Sequence, residues 1–266
     1  MTIPMQWALR RRMMMAALGS GIDVAAISIT YTGAHTDYGM VTMSDGARYR
    51  LLAFTSSGTL SIEQPVNCEV CVVGGGANGA NGRGRGGVGG AGAYLKNQSV
   101  SAYNGGSVVV GAGQGVSSIA DVSVNAVSGQ NGGTGAGGKT AGTGDGISKY
   151  PFEDTGYSLW AGKPHCAGGG QGVEEAGSRG FNGGNGGTNG GNGYGRVSNE
   201  VSNPSGGAGG SYGGGAGGNL TAGRGGNATY YGSGAGGGGY CHPSGYYGGS
   251  GYQGIVYIRI PEEQAA

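Results

Sequence analysis

Short stretches in which apolar and polar residues alternate run from residue 23 to residue 127, separated by glycine-containing turns. An alternation of period two places every second side chain on one face of a strand, so these stretches predict β-strands. A last stretch, Ile-Val-Tyr-Ile-Arg-Ile, follows Gly254 and ends at Pro261. Short, numerous strands joined by turns predict an all-β fold with a small antiparallel β-sandwich or jelly-roll-like core. The predicted strands cover residues 24–31, 39–43, 49–55, 59–64, 68–73, 93–102, 107–111, 120–127 and 254–260.

The first 22 residues follow a different pattern, which predicts a short N-terminal helix. The helix would cover residues 6–18, with Pro4 before it and Gly19 after it. We interpret this segment as a docking element for another protein. A solvated or frayed terminus is one alternative. An export signal is the other, although the apolar run after the arginines at 10–12 is short for one.

A glycine-rich region, residues 128–253, separates the last strand from the others and is far longer than an ordinary loop. Glycine makes up 70 of the 266 residues, and each glycine fixed in regular structure opposes order by about 0.5–1 kcal/mol relative to alanine. Many of these glycines repeat every three residues, as in Gly-Ala-Asn-Gly-Ala-Asn-Gly from Gly76 to Gly82 and in the Asn-Gly-Gly units from Asn182.

Three residues per turn is the period of the polyproline II conformation, which has no hydrogen bonds within one segment. Collagen uses this conformation too, but it needs abundant proline, and this chain has 7 prolines. We therefore expect packed polyglycine II segments, in which neighbouring segments exchange backbone hydrogen bonds. A flexible glycine-rich linker is the alternative.

These patterns divide the chain into four parts. The division predicts an N-terminal docking segment (1–22), a β core (23–127) completed by the strand at 254–260, a glycine-rich region with tyrosine-bearing loops (128–253), and a tail (261–266). The formal net charge of +1 gives no reason to expect nucleic acid as a partner. The lack of any 18-residue apolar run predicts no membrane insertion.

Motifs that formally match catalytic or metal sites have simpler explanations. The P-loop pattern that ends at Lys139 and Thr140 is followed by a glycine-rich run that cannot open a helix. Cys68 and Cys71 would lie on opposite faces of one strand, which suits neither zinc nor a redox pair. The pairs His165-Cys166 and Cys241-His242 would offer zinc ligands only if the fold joined them. We predict a protein that is not an enzyme and has no cofactor and no metal.

Aromatic residues interleaved with glycine are the remaining candidates for a binding site. A rigid ring with a hydroxyl supplies contact area at a low entropic cost, which is why recognition surfaces use tyrosine. The alternative is that many of these rings cover the glycine segments or fill turns. The candidate ligand-binding residues are Tyr157, Trp160, Tyr194, Tyr212, Tyr230, Tyr231, Tyr240, Tyr246 and Tyr247.

Four blocks of the sequence resemble a family of glycine-rich proteins encoded among the tail genes of phages and prophages. They are Tyr-Arg-Leu-Leu-Ala-Phe-Thr-Ser-Ser-Gly-Thr-Leu from Tyr49, Val-Val-Gly-Gly-Gly from Val72, Val-Val-Val-Gly-Ala-Gly-Gln-Gly from Val108 and Gly-Ile-Val-Tyr-Ile-Arg-Ile from Gly254. The resemblance covers about residues 24–260. It implies a virion protein of the tail tip or tail fibre that is made in the host cytoplasm.

The distal adhesins of T-even-like phages offer a weaker analogy, because they also present loops on polyglycine II layers. By this analogy the chain would be a receptor-binding protein that recognises a host cell-surface glycan or protein. Its N-terminal helix or β core would bind other tail proteins, and a homotrimer would suit the trimeric symmetry of tails and fibres. A purely structural virion component without a ligand, such as a fibre cap or decoration protein, is the alternative.

Overall fold

The fold is all-β, as the sequence predicts. A computed structural model describes residues 23–82, 89, 92–93, 95–124, 150–160, 164–171, 174–176, 179–183, 196–201, 206–209, 211–219, 223–241 and 244–263. The predicted N-terminal helix lies outside these described residues, as does the P-loop-like motif. The helical structure within the described residues consists of two single-turn 3-10 helices, Pro151–Glu153 and Ser158–Trp160.

Thirteen strands form two sheets within the described residues. Eight strands form one antiparallel sheet in the order β2-β3-β13-β4-β5-β6-β7, with β1 pairing with the first half of β4. A smaller sheet in the glycine-rich region has the order β10-β9-β8-β11-β12. In chain order the strands are β1 Ile29–Tyr31, β2 His35–Thr42, β3 Arg48–Phe54, β4 Gly58–Val73, β5 Leu95–Val109, β6 Ser117–Ile119, β7 Val122–Val124, β8 Glu174–Ala176, β9 Arg179–Gly183, β10 Arg196–Val201, β11 Tyr240–Cys241, β12 Ser244–Gly245 and β13 Ile255–Pro261.

The strand pairing joins all eight strands into one continuous sheet, whereas the sandwich prediction expects two stacked sheets. The reason is the length of β4, which has 16 residues. Its first half pairs with β1 and its second half with β13, while β5 follows it on the other side. The sequence predicts β4 as two strands because its register shifts around Val66 interrupt the alternation. The same holds for β5, whose Gly105 and Gly106 have positive φ values of 115° and 148°.

Both faces of the large sheet are buried at its centre, where successive residues of β3, of the end of β4 and of β13 enter two different cores. The first core contains Leu52 and Phe54 of β3 and the second contains Leu51 and Ala53. Cys68 lies in the first core and Cys71 in the second, so the two thiols occupy opposite faces. β13 lies at the centre of the sheet, and Ile255 to Ile260 are all buried. This burial explains why its sequence reads as a nearly continuous apolar run.

The second core is closed by residues 150–160, which pack on the sheet through Arg259 of β13. The guanidinium carbon of Arg259 lies 4.4 Å from the ring centre of Tyr49 and 4.5 Å from that of Phe152. Its Nη2 donates a hydrogen bond of 2.8 Å to Glu69 Oε2. A guanidinium between two aromatic faces combines cation–π attraction with burial of the apolar part of the side chain. Arg259 therefore links β13, the last strand, to residues 150–160, which come after β7 in the chain.

Asp154 fixes the same segment to the turn after β2. Its carboxylate accepts hydrogen bonds from the backbone N–H and hydroxyl of Ser44 and from the backbone N–H groups of Gly156 and Tyr157. Burial by itself would raise the pKa of this carboxyl group, but these hydrogen bonds outweigh burial and hold the pKa below its usual value.

We expect Asp154→Ala to destabilise the protein by about 2–4 kcal/mol, since it leaves several N–H groups without their acceptor. The depressed pKa adds a pH dependence. The stabilisation by the carboxylate is present above the pKa of an unfolded aspartate and is lost as the pH falls through the lower folded value. Urea unfolding of wild type and variant from pH 7 to pH 2.5 measures both effects. Asp45→Ala is the matched control, because exposed Asp45 accepts one backbone hydrogen bond, from Ala47. Equal losses in the two variants would contradict the assignment.

Candidate binding surface on the glycine lattice

Seven described glycine-rich segments pack side by side through backbone hydrogen bonds. We call this assembly the glycine lattice. The central segment, residues 232–239, is buried at every position although it contains few side chains. Such burial requires partners for all of its polar backbone groups. The seven segments are residues 74–82, 166–171, 206–209, 214–219, 223–228, 232–239 and 246–254.

The N–H groups of the central segment point to three neighbouring segments in turn, with a period of three residues. Gly234 and Gly237 donate to the carbonyls of Ala167 and Gly170 at 2.8 and 2.9 Å. Ala235 and Gly238 donate to Ala77 and Ala80 at 3.0 and 2.9 Å. Gly236 and Gly239 donate to Gly226 and Gly223 at 2.8 and 2.6 Å. A donor series that returns every third residue is the geometry of a helix with three residues per turn.

The carbonyl groups of the central segment accept hydrogen bonds from other segments with the same period of three residues. Ser233, Gly236 and Gly239 accept from Tyr252, Gly249 and Tyr246 at 2.9, 2.8 and 3.1 Å. Gly234 and Gly237 accept from Gly215 and Gly218 at 3.0 and 2.8 Å. A further bond comes from the N–H of Ala93 to the carbonyl of Gly232 at 2.7 Å. The central segment thus bonds to six stretches of chain. Residues 234–239 donate to three of them, and the carbonyl groups of the segment accept from the other three.

Close approach of the backbones explains why these positions are glycine. A Cβ atom on Gly236 would lie 1.8 Å from the carbonyl oxygen of Ala216, and one on Gly79 would lie 1.8 Å from that of Gly236. No real Cβ atom comes this near to backbone, so the space holds an α-hydrogen that faces the carbonyl oxygen. Contacts of this Cα–H···O type are individually weak, but they recur wherever two segments touch.

Each residue of the Gly-Ala-Asn triplet makes a different kind of hydrogen bond. The glycines donate to the antiparallel segment, Gly76 to the carbonyl of Tyr252 and Gly79 to that of Gly249. The alanine carbonyls accept from the central segment, as described above. The asparagine side chains accept backbone N–H groups, Asn78 from Gly251 at 2.8 Å and Asn81 from Gly248 at 3.1 Å. Asparagine therefore satisfies lattice donors at positions where no further backbone carbonyl is in place.

We expect Gly236→Ala to cost about 3 kcal/mol or more, since its Cβ would overlap the carbonyl of Ala216 and the lattice cannot separate locally. Gly226→Ala is the matched control within the same lattice. Its Cβ would come no closer than 3.1 Å to the backbone of Ala216. We expect a change within about 1 kcal/mol for the control, because the lower entropy of the unfolded alanine chain offsets mild crowding. Thermal unfolding measures both variants, and equal melting temperatures would contradict the packing argument.

The structure separates the aromatic candidates into buried and exposed sets. Tyr157 and Trp160 are 9% and 1% exposed and belong to the second core, so the prediction that they lie on surface loops is corrected. Their rings belong to a glycine-poor segment and fill the space between that segment and the large sheet. Tyr194 lies outside the described residues. Tyr212 and Tyr247 are 47% and 65% exposed.

Tyr230, Tyr231 and Tyr252 form a row of contacting rings, and Tyr38 of β2, which the sequence did not single out, lies near Tyr230 and Tyr231. We call these four residues the tyrosine patch. The ring centres of Tyr230 and Tyr231 are 5.5 Å apart, and those of Tyr231 and Tyr252 are 5.6 Å apart. Tyr38 and Tyr252 are 39% and 36% exposed, whereas Tyr230 and Tyr231 are half-buried. Burial raises the pKa of Tyr230 and Tyr231, and neighbouring phenols including Tyr38 raise it further.

A β-bulge brings Tyr38 to this surface. The pairing of β2 with β3 shifts register between Asp37 and Met40, and Gly39 within the shift has a φ of +66°. A bulge inserts an extra residue and changes the direction of the side chains on one strand. The alternation of apolar and polar residues that predicts a strand therefore stops at the bulge. This is the reason that Tyr38 was missed. In the sequence, the one sign of the bulge is Gly39, which follows Tyr38 at the start of the predicted strand 39–43.

Buried aromatic residues support the tyrosine patch from below. The His165 ring stacks on Tyr231 at 6.0 Å with an angle of 18° between the planes, and it meets Tyr230 edge-on at 5.0 Å. His165 Nε2 lies 3.0 Å from the hydroxyl of Tyr257, and Trp160 packs on the same tyrosine ring at 5.2 Å. Burial lowers the pKa of His165 to about 3. The support of the patch is therefore uncharged at neutral pH.

Tyr240, Tyr246 and Tyr247 lie on the glycine lattice at some distance from the patch. The Tyr246 ring covers Gly223, where a Cβ would lie 2.3 Å from ring atoms. Tyr246 and Tyr240 are half-buried. The guanidinium of Arg224 lies 6.0 Å from the ring centre of Tyr247. Residues 247 and 252 are five apart on one extended segment, which separates them by about 15 Å.

Comparisons with known proteins add no identification. No model of a known protein family matches the chain, and no curated protein is significantly similar to it. Across the described part of the chain, His, Cys, Asp and Glu form no group of three or more that could hold a metal ion. The described residues also contain no helix long and apolar enough to cross a membrane. The zinc hypothesis involving His242 falls outside the described residues.

The buried histidine predicts a loss of stability in acid. Since the folded pKa of His165 lies below the unfolded value, its neutral form contributes stability above about pH 6.5, and this contribution is lost as the pH falls toward 3. The expected loss over that range is on the order of 4 kcal/mol. His165→Gln keeps a hydrogen-bonding group beside Tyr257 but cannot titrate. Urea unfolding should show a shallower pH dependence for this variant, and identical slopes would contradict burial of a neutral imidazole.

Proposed function

We propose that the chain is a structural and adhesive protein of a phage particle. In this proposal it belongs to the tail tip or the end of a tail fibre and recognises a ligand on the host cell surface. The virion is its final location, after synthesis in the host cytoplasm. Such a protein needs no catalytic group. It needs a scaffold that does not deform and a surface that makes contacts.

The observation that carries the proposal is the tyrosine patch on the edge of the glycine lattice. Three of its four rings belong to chain that is fixed by the lattice bonds of Gly232 to Gln253 and of Tyr252 to Ser233, each at 2.9 Å. The fourth belongs to the large sheet. A ligand that binds across the four rings would meet side chains that are already held in place, so little conformational entropy would be lost on binding.

The chemistry of the patch supports recognition of a neutral or weakly polar surface. Its groups are phenols, and the raised pKa of Tyr230 and Tyr231 keeps these two uncharged. Tyrosine offers an apolar face and one hydroxyl that both donates and accepts hydrogen bonds. Aromatic faces combined with hydroxyls suit glycans and polar protein loops, which are the ligands expected on a bacterial envelope.

A purely structural role, as a fibre cap or decoration protein, is the second candidate. The glycine lattice is sufficient support for this role, since a scaffold held rigid by backbone hydrogen bonds suits a particle that must survive outside a cell. In either role the β core or the N-terminal segment would contact other tail proteins, and a homotrimer would match the symmetry of tails and fibres. Only the adhesive role requires accessible tyrosines.

Binding of labelled protein to bacterial cells distinguishes the two roles. Flow cytometry of the purified chain on a panel of bacterial strains should show binding to a subset of them. The paired change Tyr38→Ala and Tyr252→Ala removes two exposed patch rings, and we expect binding to fall at least about tenfold, as for loss of contact anchors worth more than 1.4 kcal/mol. Melting temperature checks that the variant folds.

Tyr247→Ala is the control. Tyr247 is exposed on the same lattice and lies about 15 Å along its segment from Tyr252, so the adhesive proposal expects full binding. Loss of binding in the control alone would indicate that the ligand binds to the lattice loops and not to the tyrosine patch. Failure of the wild-type chain to bind any strain would favour the purely structural role.

A further inference from the structure

A cleft on the other side of the large sheet has the size and lining of a ligand-binding site. It has a volume of about 700 Å³, which lies within the range of small-molecule sites. Its walls are the bulged part of β5 and the hairpin of β6 and β7. The lining residues are Val100, Ser101, Ala102, Tyr103, Asn104, Gly105, Gly106, Ser107, Ser118, Ile119, Ala120, Asp121 and Ser123.

The backbone around the cleft is held in conformations that L-residues seldom adopt. Ala102 has a φ of +50°, and Ala120 and Asp121 at the tip of the hairpin have φ values of +49° and +63°. Gly105 and Gly106 are also in the positive region. Strained positions of this kind persist where surrounding structure fixes them and often cluster at binding sites. Here three such positions, Ala102, Ala120 and Asp121, line one cleft.

Tyr103 lies beneath the cleft. The residue is 9% exposed, but its hydroxyl is closed off from solvent and makes no hydrogen bond within the described part of the chain. A ligand in the cleft does not reach this hydroxyl, and the accessible polar groups are those of exposed lining residues such as Asn104, Asp121 and Ser123.

The charge of the lining selects the class of ligand. Asp121 is its one charged residue, and the other polar side chains are four serines, Asn104 and Tyr103. A carboxylate without a neighbouring cation in the lining disfavours phosphate, sulfate and uronate groups. One carboxylate is also too few for a divalent cation, which takes six or more oxygen ligands. Hydroxyls, an amide and a carboxylate together match the donors and acceptors of a neutral sugar.

We propose that this cleft is a second binding site, distinct from the tyrosine patch, which takes a neutral hydroxyl-rich ligand of di- or trisaccharide size. The sugar would donate a hydrogen bond to the exposed Asp121 carboxylate and pair with the exposed side-chain amide of Asn104. The serines of β5 and β7 would satisfy its remaining hydroxyls. The site lies on the first-core side of the sheet, whereas the patch rests on the second core. Failure of either proposal therefore leaves the other intact.

Titration calorimetry of the full chain with maltotriose, lactose and N,N′-diacetylchitobiose tests the proposal, with glucose 6-phosphate and glucuronic acid as charged comparators. At least one neutral sugar should bind and neither anion should. Ser123→Phe places a ring in the cleft from an exposed position of β7 and should abolish this binding. Ser99→Phe is the matched control, since exposed Ser99 of β5 lies outside the lining. It should bind as wild type does.

A second variant keeps the test valid if Ser123→Phe fails to fold. Asp121→Asn removes the carboxylate at an exposed turn position whose φ of +63° asparagine tolerates, so it should leave the melting temperature unchanged. It should nevertheless weaken sugar binding about three- to tenfold, as expected for one weakened hydrogen bond. Absence of binding by all three neutral sugars, binding of the anions, or unchanged affinity in the filled cleft would overturn the proposal.

Discussion

The close approach of glycine backbones is the constraint on which the rest of the structure depends. Hydrogen bonds between segments of three residues per turn form only when the segments touch at their α-carbons. At Gly236 and Gly79 the space left for a substituent is that of a hydrogen atom. Glycine is usually a source of chain entropy that opposes order. In the lattice the same lack of a side chain allows each buried backbone group to find a partner in a different neighbour.

The large sheet sets the register of this lattice. β4 and β13 are antiparallel neighbours, with Val73 opposite Ile255. Beyond that pair the two strands continue as lattice segments that remain antiparallel, with Gly76 bonded to Tyr252 and Gly79 to Gly249. The chain changes from a period of two to a period of three where glycine replaces the β-branched residues. A conventional apolar core thus holds two segments together, and the remaining segments assemble on them.

Much of the sheet could be predicted from sequence, because β3 and β13 alternate or run apolar without interruption. The polyglycine II proposal rested on the Gly-Ala-Asn triplets, and the bonds of Gly76, Ala77 and Asn78 follow that period of three. The continuous β4 and β5 could not be predicted, because bulges break the pattern inside a strand. Residues 174–201 carry three short strands of a second sheet with no clear alternation.

The binding surface was only partly predictable, for a related reason. Tyr230 and Tyr231 were recognised as candidates, but glycine-rich context does not distinguish a buried ring from an exposed one. Trp160 follows a glycine-poor stretch and packs into the second core, 1% exposed. Tyr38 reaches the patch through a bulge, and the lining of the cleft comes from two segments that only the fold joins. Long-range pairing of this kind leaves no local signal in a single sequence.

Hydrogen exchange at the amides of residues 232–239 tests the central claim most directly, because every one of these residues is buried and all their N–H groups except that of Ser233 donate to other segments. If the lattice forms one cooperative unit with the sheet, these amides exchange through global unfolding and are protected as strongly as those of β13. The exposed turn at 211–213 should exchange much faster. Rapid exchange at residues 232–239 while β4 and β13 stay protected would contradict the account, since the glycine segments would then be a flexible tract attached to a β domain.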